Sequence, residues 1–343
     1  MDNRSILIIY TGGTIGMVHD PAKGTLQPFD FKNISDQMPE LKKFGFLLDA
    51  VSFDPPMDSS DMGPDTWVKI AMIIYEKYHD YDGFVILHGT DTMAYSASAL
   101  SFIFGNLAKP VIFTGSQLPI GTLRTDGKEN IITSIEIAAA REDRKPVVPE
   151  VCIYFENRLY RGNRTTKINT ENFNAFQSAN YPPLAEVGIN IKYNRENILY
   201  PGEDKTLKLY PDFDNHIAIL KLFPGMNREF IDSILGISGL KGVILETFGS
   251  GNAPASEWFL KRIRRAVENN IIVLDITQCN TGTVALGRYE TSRKLYEAGV
   301  ISGYDITTEA ATTKMMSIFG NYNDPEKIKL LLNSSLKGEI TIT

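Results

Sequence analysis

The chain of 343 residues has only two cysteines, Cys152 and Cys279, far apart and outside any Cys-x-x-Cys pair. That argues against a disulfide framework and against a cysteine-built zinc site. Its four histidines, His19, His79, His88 and His216, form no His-Glu-x-x-His or other compact ligand pair. No metal is therefore expected, and His88, just before Gly89, reads as a hydrogen-bonded structural histidine. No block of basic residues interrupts a net charge of −6, which disfavours a nucleic-acid or anionic-membrane partner. No apolar run approaches the ~18–20 residues of a membrane span. The start, MDNRSILIIYTGG, is too short in its apolar part for a signal peptide, so a cytoplasmic protein is expected. Internal repeats and low-complexity segments are also missing. So are a Gly-x-Ser-x-Gly elbow and a Gly-Lys-Ser/Thr phosphate loop.

What is present is alternation. Apolar runs at 5–10, 83–88, 110–114, 151–155, 216–222, 242–247 and 271–276 read as buried strands. Helix-like stretches lie between them at about 64–80, 94–106, 125–142, 254–270 and 307–319. Pro64, with Asp61 shortly before it, and Asp324-Pro325-Glu326 are helix-start signals. Continuous apolar strands separated by helices predict an α/β fold with mostly parallel, doubly wound sheets. The stretch 180–212 breaks the pattern with Pro182-Pro183, Pro201-Gly202 and little helical period. It divides the chain into an N-terminal α/β domain over 1–190, a connector over 191–212, and a smaller α/β domain over 213–343.

The first strand runs straight into Thr11-Gly12-Gly13-Thr14-Ile15-Gly16. Paired glycines allow positive φ and close backbone approach. Thr14 there has the setting of a nucleophile beside free N–H donors. A plain strand-to-helix turn and a nucleotide loop are the other readings; for the latter, Thr11 replaces the first glycine of G-x-G-x-x-G. Ligands of open α/β sheets bind beyond the carboxyl ends of the strands. At those ends lie Gly89-Thr90-Asp91-Thr92 and Gly115-Ser116-Gln117, and Asp58-Ser59-Ser60-Asp61 precedes a helix. The 58–61 cluster and the 89–92 cluster each read equally as helix capping, with Thr90 or Asp91 capping the helix from 94. A hydroxyl nucleophile needs a base. Lys167, in GNRTTK, would serve if burial or a cationic neighbour lowered its pKa, and otherwise is a surface lysine.

TGGTIG at 11–16, MDSSDM at 57–62, DGFVILHGTDTMAYSASAL at 82–100, TGSQ at 114–117, RLYRGNRTTK at 158–167 and GSGNAP at 249–254 together resemble the bacterial-type L-asparaginases. The MDSSDM and NRLYRGNRTTK forms are similar to the cytoplasmic type I branch. The resemblance covers essentially the whole chain. It implies hydrolysis of L-asparagine to L-aspartate and ammonia, with no cofactor, through a β-aspartyl ester on Thr14. Thr90 and Lys167 would activate water or the nucleophile. Asp91 would hold the substrate α-ammonium, and Asp58, Ser59 and Ser60 would grip its α-groups. Gly13, Gly89 and Ser116 would line the substrate site. It further implies a homo-oligomer, a tetramer of intimate dimers, with Asn252 reaching into the partner's site.

Two departures from the family pattern stand out. Many members carry a tyrosine over the nucleophile, yet residues 11–74 contain none, and Thr25 is the nearest counterpart. A threonine hydroxyl cannot simply replace a phenol as proton relay. Some type I members also bind asparagine allosterically. Here Thr166 and Cys279 match that region, but Glu246 stands where an arginine would clamp the effector carboxylate. Alternative readings are a glutaminase-asparaginase, a subunit acting on aminoacyl-tRNA, and a non-catalytic amino-acid sensor.

Overall fold

The computed structural model describes residues 4–20, 25–28, 38–204, 206–287 and 290–342. The chain folds as two compact units, Met1–Leu209 and Tyr210–Thr343.

In the first unit the main sheet is built from β1 (Ser5–Tyr10), β2 (Leu47–Ser52), β3 (Gly83–Leu87), β4 (Val111–Thr114), β5 (Val151–Phe155), β6 (Arg158–Arg161), β7 (Ala185–Val187) and β8 (Ile191–Tyr193). Their spatial order is β8-β7-β6-β5-β4-β3-β1-β2. Strands β5, β4, β3, β1 and β2 are parallel, and β6 to β8 add antiparallel pairs. The unbroken apolar runs follow from burial on both faces. Ile6, Ile8 and Tyr10 join Val85, Leu87 and Ile112 in one core with Ile131 and Ile135 of α3 (Gly127–Ala139). The opposite face is covered by α2 (Met93–Ile103), which packs on β5 and on α1 (Pro64–Glu76). Trp67 of α1 donates its indole N–H to Ser96 of α2 at 3.1 Å.

The position of β1 matters most. It pairs with β2 on one side and β3 on the other, with Ile8 opposite Ala50 and Val85. The chain therefore leaves β1 in one direction, for β2, and later crosses it to reach β3. That reversal opens a crevice beyond the carboxyl ends of β1 and β3, directly at the TGGTIG loop.

The second unit carries β9 (Ile217–Lys221), β10 (Gly242–Thr247), β11 (Ile272–Thr277) and β12 (Ile301–Ser302) in that order, all parallel. Helices α4 (Arg228–Leu235), α5 (Glu257–Glu268), α6 (Glu290–Glu297), α7 (Thr308–Asn321) and α8 (Pro325–Leu332) surround them. The start signal at 324–326 operates as expected: the Asp324 carboxylate accepts from the Glu326 N–H at 3.1 Å and Pro325 opens α8. Helix α1 opens at Pro64 as expected, but Gly63 caps it without a side-chain bond. Asp61 instead ends the short turn Ser59–Asp61. Helices α4 and α6, which the apolar pattern did not indicate, are only eight residues long each, and α6 is mostly polar. Among the described residues no helix is long and apolar enough to cross a membrane.

Asp275, in the middle of this sheet, is fully buried. Burial pushes its carboxyl up to about 7, against the opposing hydrogen bond from Thr247. Thr247 Oγ1 donates to Oδ1 at 2.7 Å. The unfolded carboxyl titrates near ~4, so between there and about 7 the folded chain binds more protons than the unfolded one. Stability should therefore fall as pH rises through that window. Asp275→Asn keeps an acceptor for Thr247 and cannot ionise. It should flatten the slope and raise the urea midpoint above that of wild type at about pH 8. The measurement is Trp258 fluorescence in a Trp67→Phe background, and an unchanged slope in the variant refutes the assignment.

Candidate active site

The loop after β1 is held by its own backbone. Thr11 donates both its N–H and its hydroxyl to Leu87 O, each at 3.0 Å, and its carbonyl accepts the Met57 N–H at 2.9 Å. Gly12 and Gly13 have φ of +137° and +86°. A Cβ on Gly12 would lie 2.0 Å from Met57 O, and one on Gly13 would lie 2.5 Å from the Gly89 backbone. No side chain fits at either position. Thr14 opens a short 3-10 turn, Thr14–Gly16. Ile15 is buried, and Gly16 lies on the Tyr10 ring so closely that a Cβ would sit 2.1 Å from it. Thr14 is left exposed on this packed base.

The MDSSDM segment closes one side. Asp58 accepts from the Ser60 N–H at 2.9 Å and from its hydroxyl at 2.8 Å. These bonds hold the Asp58 carboxyl below its ordinary range. The capping role that the residues suggested is thus fulfilled, but for the 59–61 turn. Ser59 is buried against the next loop: a Cβ on Gly89 would meet its Oγ at 2.6 Å, and its carbonyl accepts the Thr92 hydroxyl at 2.6 Å.

The loop after β3 supplies the charged centre. Lys167 Nζ donates to Thr90 Oγ1 at 2.8 Å and to Asp91 Oδ1 at 2.7 Å. Helix α2 starts at Met93 after Thr92, with no side-chain cap. Thr90 and Asp91 therefore do not cap it, and that expectation is corrected. Lys167 lies in a two-residue ladder, Thr166 opposite Gln177 and Lys167 opposite Phe176. Its side chain is 15% exposed while that of Asp91 is 67% exposed, so it is no free surface lysine. The ammonium crosses from a buried stem to an open edge. Behind it Arg161 pairs with Glu150, both buried, at 2.6 Å, anchoring the strand that leads to GNRTTK. A groove beside this centre is lined by Asp91, Lys167, Asn169 and Glu171.

The third loop, after β4, is pinned from α3. Gln117 N–H donates to both Asp126 carboxylate oxygens, at 3.1 and 3.0 Å, and Asn130 donates to Gly115 O at 2.9 Å. Buried Ser116 donates to Leu118 O at 2.6 Å. Gln117 itself lies against Thr90. His88 is the structural residue expected: buried, with Nδ1 2.6 Å from Gly89 O, its pKa pushed down to about 4 by desolvation. It is neutral at physiological pH.

Gly13, Thr14, Asp58, Ser59, Ser60, Gly89, Thr90, Asp91, Ser116 and Lys167 thus lie along one sheet edge in the first unit. Thr25 belongs to the strand Thr25–Pro28, opposite Asp20, and its side chain lies outside the described residues. In the second unit Asn252 closes a tight turn on Phe248, with backbone bonds of 2.8 and 2.9 Å. Glu246 takes Lys221 Nζ at 3.0 Å and the Thr308 hydroxyl at 2.9 Å. Cys279 is an exposed free thiol. Two residues were missed on reading the sequence, Thr92 and Gln117. Both sit inside motifs already singled out, each one residue from a chosen position.

The asparaginase N-terminal family model matches residues 5–199, and the glutaminase/asparaginase C-terminal domain model matches residues 216–332. The chain is 42% identical over 346 residues to L-asparaginase 1 of Escherichia coli, covering 99% of each. It is 39% identical over 365 residues to the 60 kDa lysophospholipase of Mus musculus, covering 99% of this chain and 63% of that protein. Among solved structures, L-asparaginase I from Vibrio cholerae matches at a TM-score of 0.87 with 41% identity, covering 99% of each chain. With the two domain models spanning both units in order, the chain belongs to the asparaginase family.

Proposed function

We propose that the protein is an L-asparaginase, an amidohydrolase that converts L-asparagine to L-aspartate and ammonia through an ester on Thr14. The observation that carries the reading is Lys167 bridging Thr90 and Asp91 on a loop whose Gly89 touches Gly13, next to exposed Thr14. Binding alone would not require an exposed hydroxyl on a glycine loop beside a second hydroxyl held by a lysine.

In the first step Thr14 Oγ bonds to the side-chain amide carbon, the C–N bond breaks, and ammonia leaves with the threonine proton. In the second step water adds to the ester carbon, the bond to Oγ breaks, and L-aspartate leaves. Backbone N–H groups of the loop around Gly13 and Gly89 would stabilise the oxyanion. Thr90, held by Lys167, would orient the water. Asp91 would take the substrate α-ammonium; Asp58, Ser59 and Ser60 would take its α-groups, and Ser116 would face its amide. We place the catalytic chemistry in the first unit, to which most of the 191–212 stretch expected as a connector also belongs, β8 included, and take 213–343 as the second domain. The working form would be a cytoplasmic homotetramer of intimate dimers, with Asn252 completing the partner's site.

Purified protein should release ammonia from L-asparagine, and Thr14→Ala should lose this by on the order of 10⁴-fold or more while staying folded. One added methylene is worth only ~1–3 kcal/mol of discrimination, so L-glutamine should be turned over measurably and more slowly. No ammonia from either amide in a folded oligomer would refute the reading. Glu246, already engaged by Lys221 and Thr308, presents a carboxylate that repels an effector carboxylate. The rate should therefore saturate hyperbolically with L-asparagine, and a sigmoidal curve counts against the role given to Glu246.

A further inference from the structure

Gln117 has a place in the site that no comparison assigns. Its backbone is fixed by Asp126, as described above. Its side chain spans two other elements. Nε2 donates to the Asn172 carbonyl at 3.1 Å, in the turn that follows Lys167. Oε1 lies 3.4 Å from Thr90 Oγ1. The orientation of the amide follows from these partners. A carbonyl oxygen needs a donor, so the NH₂ faces Asn172 and the oxygen must face Thr90.

The hydrogens of Thr90 can then be counted. An ammonium has donors only, so Thr90 Oγ1 accepts from Lys167. The hydroxyl proton cannot point at Lys167. Gln117 Oε1 is the acceptor within reach of it, at a distance long for O–H···O in a site without substrate. With one lone pair on Lys167 and the proton on Gln117, a second lone pair of Oγ1 remains for the groove. A water there would donate to Thr90 and turn its own lone pair toward the reacting carbon.

We propose that Gln117 is a positioning residue that sets the rotor of the Thr90 hydroxyl and ties it to the 169–172 turn, so that Thr90 offers a lone pair rather than a proton to the attacking water. The inference rests on the asparaginase reading and adds to it the direction of one hydrogen bond. It treats Thr90 as part of a three-residue unit in which Lys167 and Gln117 occupy opposite sides of one oxygen. The charged groups around that unit are Lys167 on its ladder, Asp91 after β3, Asp126 at the start of α3, and Glu171 in the groove wall.

The test compares wild type, Gln117→Leu and Gln117→Glu for ammonia release from L-asparagine across pH, with thermal midpoints as the folding control. Leu removes the acceptor while keeping bulk. Its kcat should fall about 10-fold or more, the scale of one transition-state hydrogen bond, with KM within about 3-fold and an unchanged midpoint. Glu keeps an acceptor oxygen toward Thr90 and adds a negative charge beside the lysine ammonium, which then holds its proton more tightly. It should recover kcat relative to Leu on the plateau, with the alkaline limb of the profile moved to higher pH. A residue that only ties the 169–172 turn, through a bond that both variants lack, would lose activity in both alike and leave the limb in place. That result overturns the inference, as does undiminished kcat in Gln117→Leu. A wild type silent toward L-asparagine overturns the underlying reading as well, which separates the two failures.

Discussion

The first unit depends on one close approach: the backbone of Gly12 and Gly13 lies against the backbone of Met57 and Gly89, where a single methyl group would not fit. All five parallel strands end on the same edge, so the loops leaving them compete for the same space. Two glycines at positive φ let the β1 loop fold flat enough to touch both neighbours. Everything above it inherits that geometry. The Tyr10 ring supports Gly16, Ile15 plugs the core, and Thr14 is the residue left facing outward. The hydroxyl stands on a packed base, which suits the nucleophile role proposed for it.

The parts of this arrangement that a reader of the sequence can find are those written locally. An apolar run such as Ile6-Leu7-Ile8-Ile9 is continuous because both of its faces are buried, and it points to a parallel strand without further help. Once the strands are placed, their carboxyl ends collect Thr14, Thr90, Asp91 and Ser116 on one edge. What stays hidden is set by distance along the chain. Lys167 meets Thr90 across 77 positions, and the Gln117 amide finds Asn172 across 55. No local pattern encodes such contacts. Thr90 and Asp91 show the cost of local reasoning: the same residue types cap helices and bind lysines, and only the fold decides between them. The antiparallel strands β7 and β8 escape notice because each has three residues and stands among prolines and charges.

Charge is handled differently at the open site and in the interior. At the site, Asp58 and Asp91 are exposed and pay little for their charge. In the interior, charge is buried and must be matched, as Arg161 and Glu150 match each other in the first unit. Lys314 is fully enclosed and meets Glu339 at 2.7 Å, Ser334 O at 2.6 Å and Leu332 O at 3.0 Å. Glu339 takes the N–H groups of Leu336 and Lys337 as well. Burial pulls the lysine pKa down and the carboxylate opposes it. Such a pair adds little net stability over an apolar one, but breaking it leaves a stranded charge. Its effect is to fix the 332–339 segment on α7 in one geometry. Asp275 is buried without a cation beside it among the described residues and answers the same problem by holding its proton.

The missing tyrosine is less of an obstacle to the proposed chemistry than its absence suggests. In acylation the proton of Thr14 has to end on the departing nitrogen, and in deacylation a proton of water has to return to Thr14. Over one turnover the threonine neither gains nor loses a proton, so no group needs to be a strong base in the resting state. What is needed is a path short enough for the proton to move as the C–N bond breaks. Tyr10, the aromatic hydroxyl nearest in sequence, does not provide it: its phenol is buried beneath Gly16 and pushed up to about 12. Among the described residues, the groups on that edge that can pass a proton include the Thr14 and Thr90 hydroxyls and the Lys167 ammonium. A relay of that kind gains from fixed rotors more than from basicity, because each hydroxyl passes a proton only along the direction its partners leave open. In the proposed chemistry Lys167 and Asp126 would act by the same principle, one holding an oxygen and the other a backbone, and catalysis would become a matter of how few orientations remain.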